Sequence, residues 1–152
     1  MTDVNDTLPA VTVKDSAGND VALGALKGPF VLYFYPKADT PGCTNEAKDF
    51  TGLHADFAQA GATIYGMSKD KPAKLAKFAD KYGLKVTLLS DEESDATEQM
   101  GAWVEKSMYG KKYMGIERCT FLIGKNGKVA RVWHNVKVKG HAAEVLEVAK
   151  SL

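Results

Sequence analysis

The run FVLYFY at residues 30–35 constrains this chain more than any other stretch. Its apolar and aromatic residues follow one another without alternation, and Gly28-Pro29 and Pro36 close it at either end. A run this short, bounded by prolines, reads as a strand covered on both faces rather than as a helix. Such a strand needs a layer above it and a layer below it, so the run predicts the centre of a sheet inside an α/β fold.

The segments around it support that reading. VTVKDSAGNDVAL (11–23) alternates around a Ser-Ala-Gly-Asn turn and predicts an N-terminal β-hairpin. After Cys43, the apolar residues Ala47, Phe50, Leu53, Phe57 and Ala60 recur at helical spacing, which predicts one helix running to Gly61. ATIYGMS (62–68) reads as a strand, Pro72 to Tyr82 as a helix closed by Gly83, VTLLSD (86–91) as a strand, and Glu93 to Met100 as a short helix. CTFLIGKNGKVARVWH (119–134) predicts a hairpin around Gly-Lys-Asn-Gly, and a last helix begins near His141. The alternating segment VKVKGH (136–141) reads as the solvent face of a strand. Strands alternating with helices, with hairpins at both ends, describe a mixed sheet with helices on both faces, and a thioredoxin-like α/β sandwich fits that order.

Composition narrows the function classes. The 152 residues match one domain over 1–152, with no linker or low-complexity tract, and 45% are hydrophobic, which is ordinary for a globular chain. Twenty basic and 19 acidic residues are interleaved to a net charge of +1, so no extended field invites nucleic acid or an anionic membrane. The N-terminal residues carry acids and no apolar core of a leader, and no stretch has the length to cross a bilayer; a cytoplasmic protein is expected. The two cysteines, Cys43 and Cys119, lie far apart in no metal-like spacing, and a reducing compartment keeps them as thiols.

Cys43 stands in the stretch YFYPKADTPGCTNEA (33–47), just after the central strand. With a helix starting near Thr40, Pro41 occupies its first turn at no cost and Thr40 is the N-cap. Cys43 then falls in that first turn, where free N–H groups and the positive end of the helix dipole favour a thiolate. The Thr40 hydroxyl, three residues earlier, is expected on the same face, able to donate to the sulfur and to accept from a ligand. Pro36 and Pro41 stiffen the loop, and the C-terminal ends of strands in open α/β sheets are where such folds bind ligands.

The stretch YPKADTPGCTNEAKDF resembles the peroxidatic motif of the peroxiredoxins, P-x-x-x-T-x-x-C, here Pro36, Thr40 and Cys43. It is most similar to the Q-type subfamily, the bacterioferritin comigratory proteins. The likeness extends through LLSD (88–91), YGKKYMGIER followed by TFLI (109–123), and ARVWHNVKVKGHAAEVL (130–146). The resemblance implies a thioredoxin fold and the reduction of hydrogen peroxide or organic hydroperoxides, with no metal or organic cofactor. It assigns Cys43 as the nucleophile, Thr40 as the hydroxyl that orients the peroxide, Pro36 as a shield of the sulfur and Arg118 as the active-site guanidinium. Glu46 takes a supporting role, and Tyr35 is a candidate wall of the peroxide pocket. The chemistry suits these types: a thiolate attacks one peroxide oxygen, and a fixed cation and helix N-terminus face the charge that develops on the other.

The chain departs from its relatives at the resolving cysteine. The two positions where Q-type members carry one hold Lys48 and Ala79 here. Cys119 should point away from the face that Arg118 serves, because strand side chains alternate, and it reads as a buried packing residue. A one-cysteine cycle is therefore expected, in which an external thiol, reduced by a thioredoxin or glutaredoxin system, resolves the Cys43 sulfenic acid. A Cys43–Cys119 or Cys43–Cys43 bridge is the lesser alternative, and the family's habit suggests a monomer. His54, expected eleven residues along the same helix and about 16 Å from Cys43, His134 and His141 do not read as a metal or hydrolase site. A peroxide sensor or an interaction module using the Cys43 loop without turnover is the competing class.

Overall fold

The computed structural model describes all 152 residues. Its elements, in chain order, are β1 (Thr12–Asp15), β2 (Asp20–Ala22), a 3-10 turn (Leu23–Ala25), β3 (Phe30–Phe34), α1 (Pro41–Gly52), α2 (His54–Gln59), β4 (Thr63–Ser68) and α3 (Pro72–Tyr82). They continue with β5 (Thr87–Ser90), α4 (Ala96–Gln99), β6 (Trp103–Met108), β7 (Lys111–Ile116), β8 (Cys119–Ile123), β9 (Val129–Trp133) and α5 (His141–Lys150). Seven strands form one mixed sheet in the order β2-β1-β5-β4-β3-β8-β9, and β6 and β7 form a separate ribbon. No helix is long and apolar enough to cross a membrane.

The run at 30–35 is what its composition demands. Every residue of β3 is buried, with β4 parallel on one side and β8 antiparallel on the other. Val31, Tyr33 and Tyr35 join a core with Phe50 of α1, Phe57 of α2, Phe78 of α3 and Val145 of α5. Phe30, Leu32 and Phe34 face the other way, toward Met67, Phe121, Cys119 and Met100 beside α4. The helices therefore cover both faces of the sheet unequally, four on one and the short α4 on the other. This follows from strand order: β3 to β4 and β4 to β5 are parallel steps in the same direction, and right-handed crossovers then leave their helices on the same face.

Three details differ from the periodicity. The helix expected to run to Gly61 is broken at Leu53, whose φ of −102° and ψ of 6° separate α1 from α2. Phe50 and Phe57 both remain in the core across the break, so the apolar rhythm hides it. His54 is consequently not on the helix of Cys43. The short helix expected from Glu93 begins only at Ala96, because the buried Asp91 carboxylate takes the N–H groups of Ala96 (3.2 Å) and Thr97 (2.7 Å) and fixes its first turn. Finally, 136–141 is not a strand: no strand pairs with it, and its ladder-like contact is a single bond from Val136 N to Arg118 O at 2.9 Å.

The β6–β7 ribbon is an element that periodicity did not reveal. It turns at Tyr109 (φ 52°) and Gly110 (φ 77°), two consecutive left-handed residues as a tight two-residue hairpin requires. Glycine at 110 supplies one of these without strain, and Tyr109 projects almost wholly into solvent, 98% exposed.

Candidate active site

The loop from Pro36 to Thr40 carries the chain from the C-terminal end of β3 into α1. Asp39, with a left-handed φ of 63°, turns it, a conformation that Asp tolerates better than most residues. Two tethers hold this loop. The N–H of Ala38 donates to Asp70 Oδ2 (2.8 Å), which also accepts from Ser68 Oγ (2.8 Å) at the end of the neighbouring β4. Asp39 accepts from Tyr82 Oη (2.6 Å) and Lys81 Nζ (3.0 Å) on α3, which hold its carboxyl below the usual range. None of Asp39, Asp70, Lys81 or Tyr82 was singled out by motif, since the partners lie 32 to 43 positions apart.

Thr40 is the N-cap position by backbone, with φ −98° and ψ 157°, and Pro41 opens α1. Its side chain does not cap the helix. The hydroxyl donates to Lys37 O at 2.7 Å, which corrects the expectation that it donates to the sulfur. With its one hydrogen used in this way, the Thr40 oxygen offers only lone pairs, and so can accept from a peroxide O–H. Pro36 is exposed at the start of the loop.

Cys43 lies in the first turn of α1 and is 2% exposed. Arg118 Nη2 donates to its sulfur at 3.4 Å, while Nη1 donates to Glu46 Oε1 at 2.7 Å. Glu46 follows Cys43 by three residues, close to one helical turn, so one face of α1 presents both groups to one guanidinium. Arg118 itself sits in the link between β7 and β8. Its position there is set by the bond from Glu117 N to Ala102 O (2.7 Å) and by the bond that its own carbonyl accepts from Val136. Gly42 makes room for it: a Cβ there would come within 3.3 Å of Nη2.

Glu46 is 1% exposed and its Oε2 has no hydrogen-bond partner. Burial pushes its carboxyl up to about 7 in spite of the attraction of Arg118. Between the ordinary value of 4.5 and about 7, the folded protein holds a proton on Glu46 that the unfolded chain has released. The contribution of Glu46 to stability therefore falls as pH rises through that window, and it is flat above it. The stability of the native protein relative to Glu46→Gln, measured by urea unfolding, is expected to decline by up to about 3 kcal/mol across this range. A difference that grows with pH instead would mean that Arg118 outweighs burial.

Tyr35 is 1% exposed, with its ring 5.7 Å from Tyr33 and 6.2 Å from Phe78. It belongs to the core of the α1 face that also contains Cys43, so it contributes support from behind and not a solvent-facing wall. Burial pushes its phenol up, which keeps it neutral.

Cys119 is fully buried and lies in the core on the opposite face of the sheet from Cys43. Burial pushes its thiol well up. Both cysteines are free. The three histidines do not converge: His54 is exposed, His134 Nδ1 pairs with Glu117 (3.3 Å), and His141 is buried with Nε2 against Thr120 Oγ1 (2.7 Å). The burial of His141, which meets the rings of Phe50 and Trp133 edge to face, is not expected of an isolated histidine.

Known proteins share this arrangement of chain. Residues 4–132 match the AhpC/TSA family. Peroxiredoxin Bcp of Bacillus subtilis (strain 168) is 44% identical over 151 residues, 99% of this chain and 96% of its own. Peroxiredoxin Bcp of Escherichia coli (strain K12) is 44% identical over 146 residues, 95% of this chain and 94% of its own. Among solved structures, Xanthomonas campestris peroxiredoxin Q superposes with a TM-score of 0.90 at 41% identity, covering 99% of this chain and 98% of that one. The bacterioferritin comigratory protein of the same organism, described for its alkyl peroxide reduction activity, superposes with a TM-score of 0.88 at 40% identity over 96% of this chain and 98% of its own. Identity at this level, over nearly the full length of each partner and on one thioredoxin-like fold, leaves little room for another origin: the chain belongs to the AhpC/TSA family as a peroxiredoxin of the Bcp, or Q, type, and is a thiol-dependent peroxidase.

Proposed function

We propose that Cys43 is the peroxidatic sulfur of a one-cysteine cycle that reduces hydrogen peroxide and organic hydroperoxides and is resolved by an external thiol. The observation that carries it is the Arg118 bridge, one guanidinium donating to the Cys43 sulfur at 3.4 Å and to Glu46 at 2.7 Å. In the first step the thiolate attacks one peroxide oxygen. The S–O bond forms as the O–O bond breaks, sulfur is oxidised to the sulfenic acid, and the other oxygen leaves as alkoxide or hydroxide and takes up a proton. Thr40 accepts from the peroxide O–H, and Arg118 with the N–H groups of the first turn faces the oxygen on which charge develops. Glu46 orients Arg118, Pro36 limits access to the sulfur, and Tyr35 supports the loop from the core.

The position of the second thiol supports resolution from outside. Lys48 and Ala79 stand where relatives carry a resolving cysteine, and Cys119 is in the core on the other side of the sheet. The reductant is then a thioredoxin or a glutaredoxin–glutathione system acting in the cytoplasm on a monomeric, single-domain protein. Intact-mass spectrometry of the reduced protein after one equivalent of peroxide, with a dimedone-type trap, tests the cycle. One adduct on Cys43 with Cys119 free is expected. Loss of two hydrogens without an adduct would show an internal disulfide and end the one-cysteine reading.

A further inference from the structure

Two acids share one cation at the Cys43 centre. The Arg118 guanidinium donates from Nη2 to the Cys43 sulfur at 3.4 Å and from Nη1 to Glu46 Oε1 at 2.7 Å. Both acids are buried, so water screens neither of them well. With both ionised, two negative charges would stand against one positive charge in a buried place, which is costly. With one proton held between them, the centre carries one anion and one cation.

The geometry also points to the atom that can hold this proton. Three buried side-chain polar atoms lack a hydrogen-bond partner: the Tyr33 and Tyr35 hydroxyls and Glu46 Oε2. Burial pushes both phenols up and keeps them neutral, which leaves the carboxyl oxygen to gain or lose the proton. The other titratable groups that act on Glu46 do not relieve it. Asp49, on the same helix, is exposed and negative, and Cys119 lies on the other face of the sheet with its thiol pushed up. Arg118 is thus the cation for both acids. Burial pushes the Glu46 carboxyl up to about 7 in spite of Arg118, and a thiolate drawing on the same guanidinium raises it further.

We propose that Glu46 is the proton store of the peroxidatic step, protonated while Cys43 is a thiolate and ionised once Cys43 is a sulfenic acid. This rests on the reading of Cys43 as the peroxidatic sulfur. The thiolate attacks one oxygen of hydrogen peroxide, the S–O bond forms and the O–O bond breaks. Sulfur is oxidised, and the departing oxygen, reduced to hydroxide, becomes water by taking one proton. The sulfur is now neutral and leaves Arg118 to the carboxylate, so Glu46 gives up one proton in the same step. None is drawn from the medium. The carboxyl is reloaded when a reducing thiol returns Cys43 to the thiolate. Before and after oxidation the centre keeps one positive and one negative charge.

Infrared difference spectroscopy reads the carboxyl directly. Reduced protein at about pH 7.5 is oxidised with one equivalent of hydrogen peroxide, and a dimedone-type trap on a parallel sample counts the Cys43 sulfenic acid by mass. The native protein is expected to lose the carbonyl stretch of one protonated carboxyl, and to gain one carboxylate, for each Cys43 oxidised. Glu46→Gln should show neither change. A pH-indicator dye in weak buffer supplies a second count: the native protein takes up no proton in the step, and Glu46→Gln takes up about one per sulfur oxidised. A carboxyl band that persists in the native protein while Cys43 is trapped as the sulfenic acid overturns the store alone. A band lost equally in Glu46→Gln overturns it too, since the proton then sits elsewhere. Absence of any adduct on Cys43 overturns the peroxidatic reading, and the store with it. A Glu46 that only orients Arg118 would slow the step when replaced, but its carboxyl would not change state in the native protein.

Discussion

Cys43→Ser is expected to bring peroxide consumption down to the background of the assay, whereas Cys119→Ser retains nearly all of it. The reasoning is chemical before it is geometric. A serine oxygen in the first turn of α1 would keep the helix start and the hydrogen bond from Arg118, but it has no accessible oxidation state equivalent to a sulfenic acid. The loss is therefore complete and is not a matter of alignment. Cys119 is 0% exposed in the core beneath β3, its thiol is pushed up by burial, and its face of the sheet is the one that Cys43 does not share. Serine there costs packing, roughly 1–3 kcal/mol for an uncompensated buried hydroxyl. Peroxide loss with a thiol supply, together with a melting curve for each variant, separates the two effects. Equal inactivation of both variants in folded protein would mean that the second sulfur takes part in turnover. A sensor would show one oxidation event at Cys43 and no continued consumption when thiol is supplied.

Arg118→Met is the second large effect. Methionine keeps much of the apolar stem and removes both donors at once, the one at 3.4 Å to Cys43 and the one at 2.7 Å to Glu46. Loss of such a preorganised donor costs about 10²–10³-fold in rate, and the rate constant for Cys43 oxidation is where the loss is expected. Arg118→Lys should recover little of it, because a single ammonium lacks the planar fork that reaches two partners together. Stability should separate by pH. Below about 7 Glu46 carries its own proton and tolerates the loss of its partner, and above it the variant must bury an unpaired carboxylate or take up a proton at a cost. Stopped-flow tryptophan fluorescence for the oxidation step, with urea unfolding at pH 6 and 8, measures both.

Much of this architecture can be read from the chain because burial leaves a rhythm. Helix α3 spans Pro72–Tyr82 with Gly83 left-handed beyond it, as its apolar spacing and closing glycine indicate. Cys119 falls in the core on the opposite face from Cys43, as strand alternation indicates. The β6–β7 ribbon was illegible for the complementary reason: most of its residues are exposed or half-buried, so neither periodicity is imposed on it. VKVKGH misled in the other direction, since it alternates without any strand beside it to accept the pairing. The Arg118–Glu46–Cys43 contact spans more than seventy positions, and resemblance rather than pattern brought those three residues together. The direction of the Thr40 hydroxyl depends on the path of the preceding turn, which motif spacing does not carry.

The two tethers on the Cys43 loop leave the pace of the proposed cycle to its reactants. With Ala38 bound to Asp70, and Asp39 to Lys81 and Tyr82, this segment is fastened to the end of β4 and to α3 on both sides of its turn. In a cycle whose second thiol arrives from outside, nothing in the protein has to travel to meet the oxidised sulfur. The lifetime of the sulfenic acid is then governed by the concentration of reducing thiol and not by any opening of the chain. When peroxide rises faster than thiol can be supplied, a second peroxide competes for the same waiting sulfur and carries it to the sulfinic acid. In such a one-cysteine cycle the ratio of the two reactants, read at this one atom, would decide whether the protein turns over or is spent.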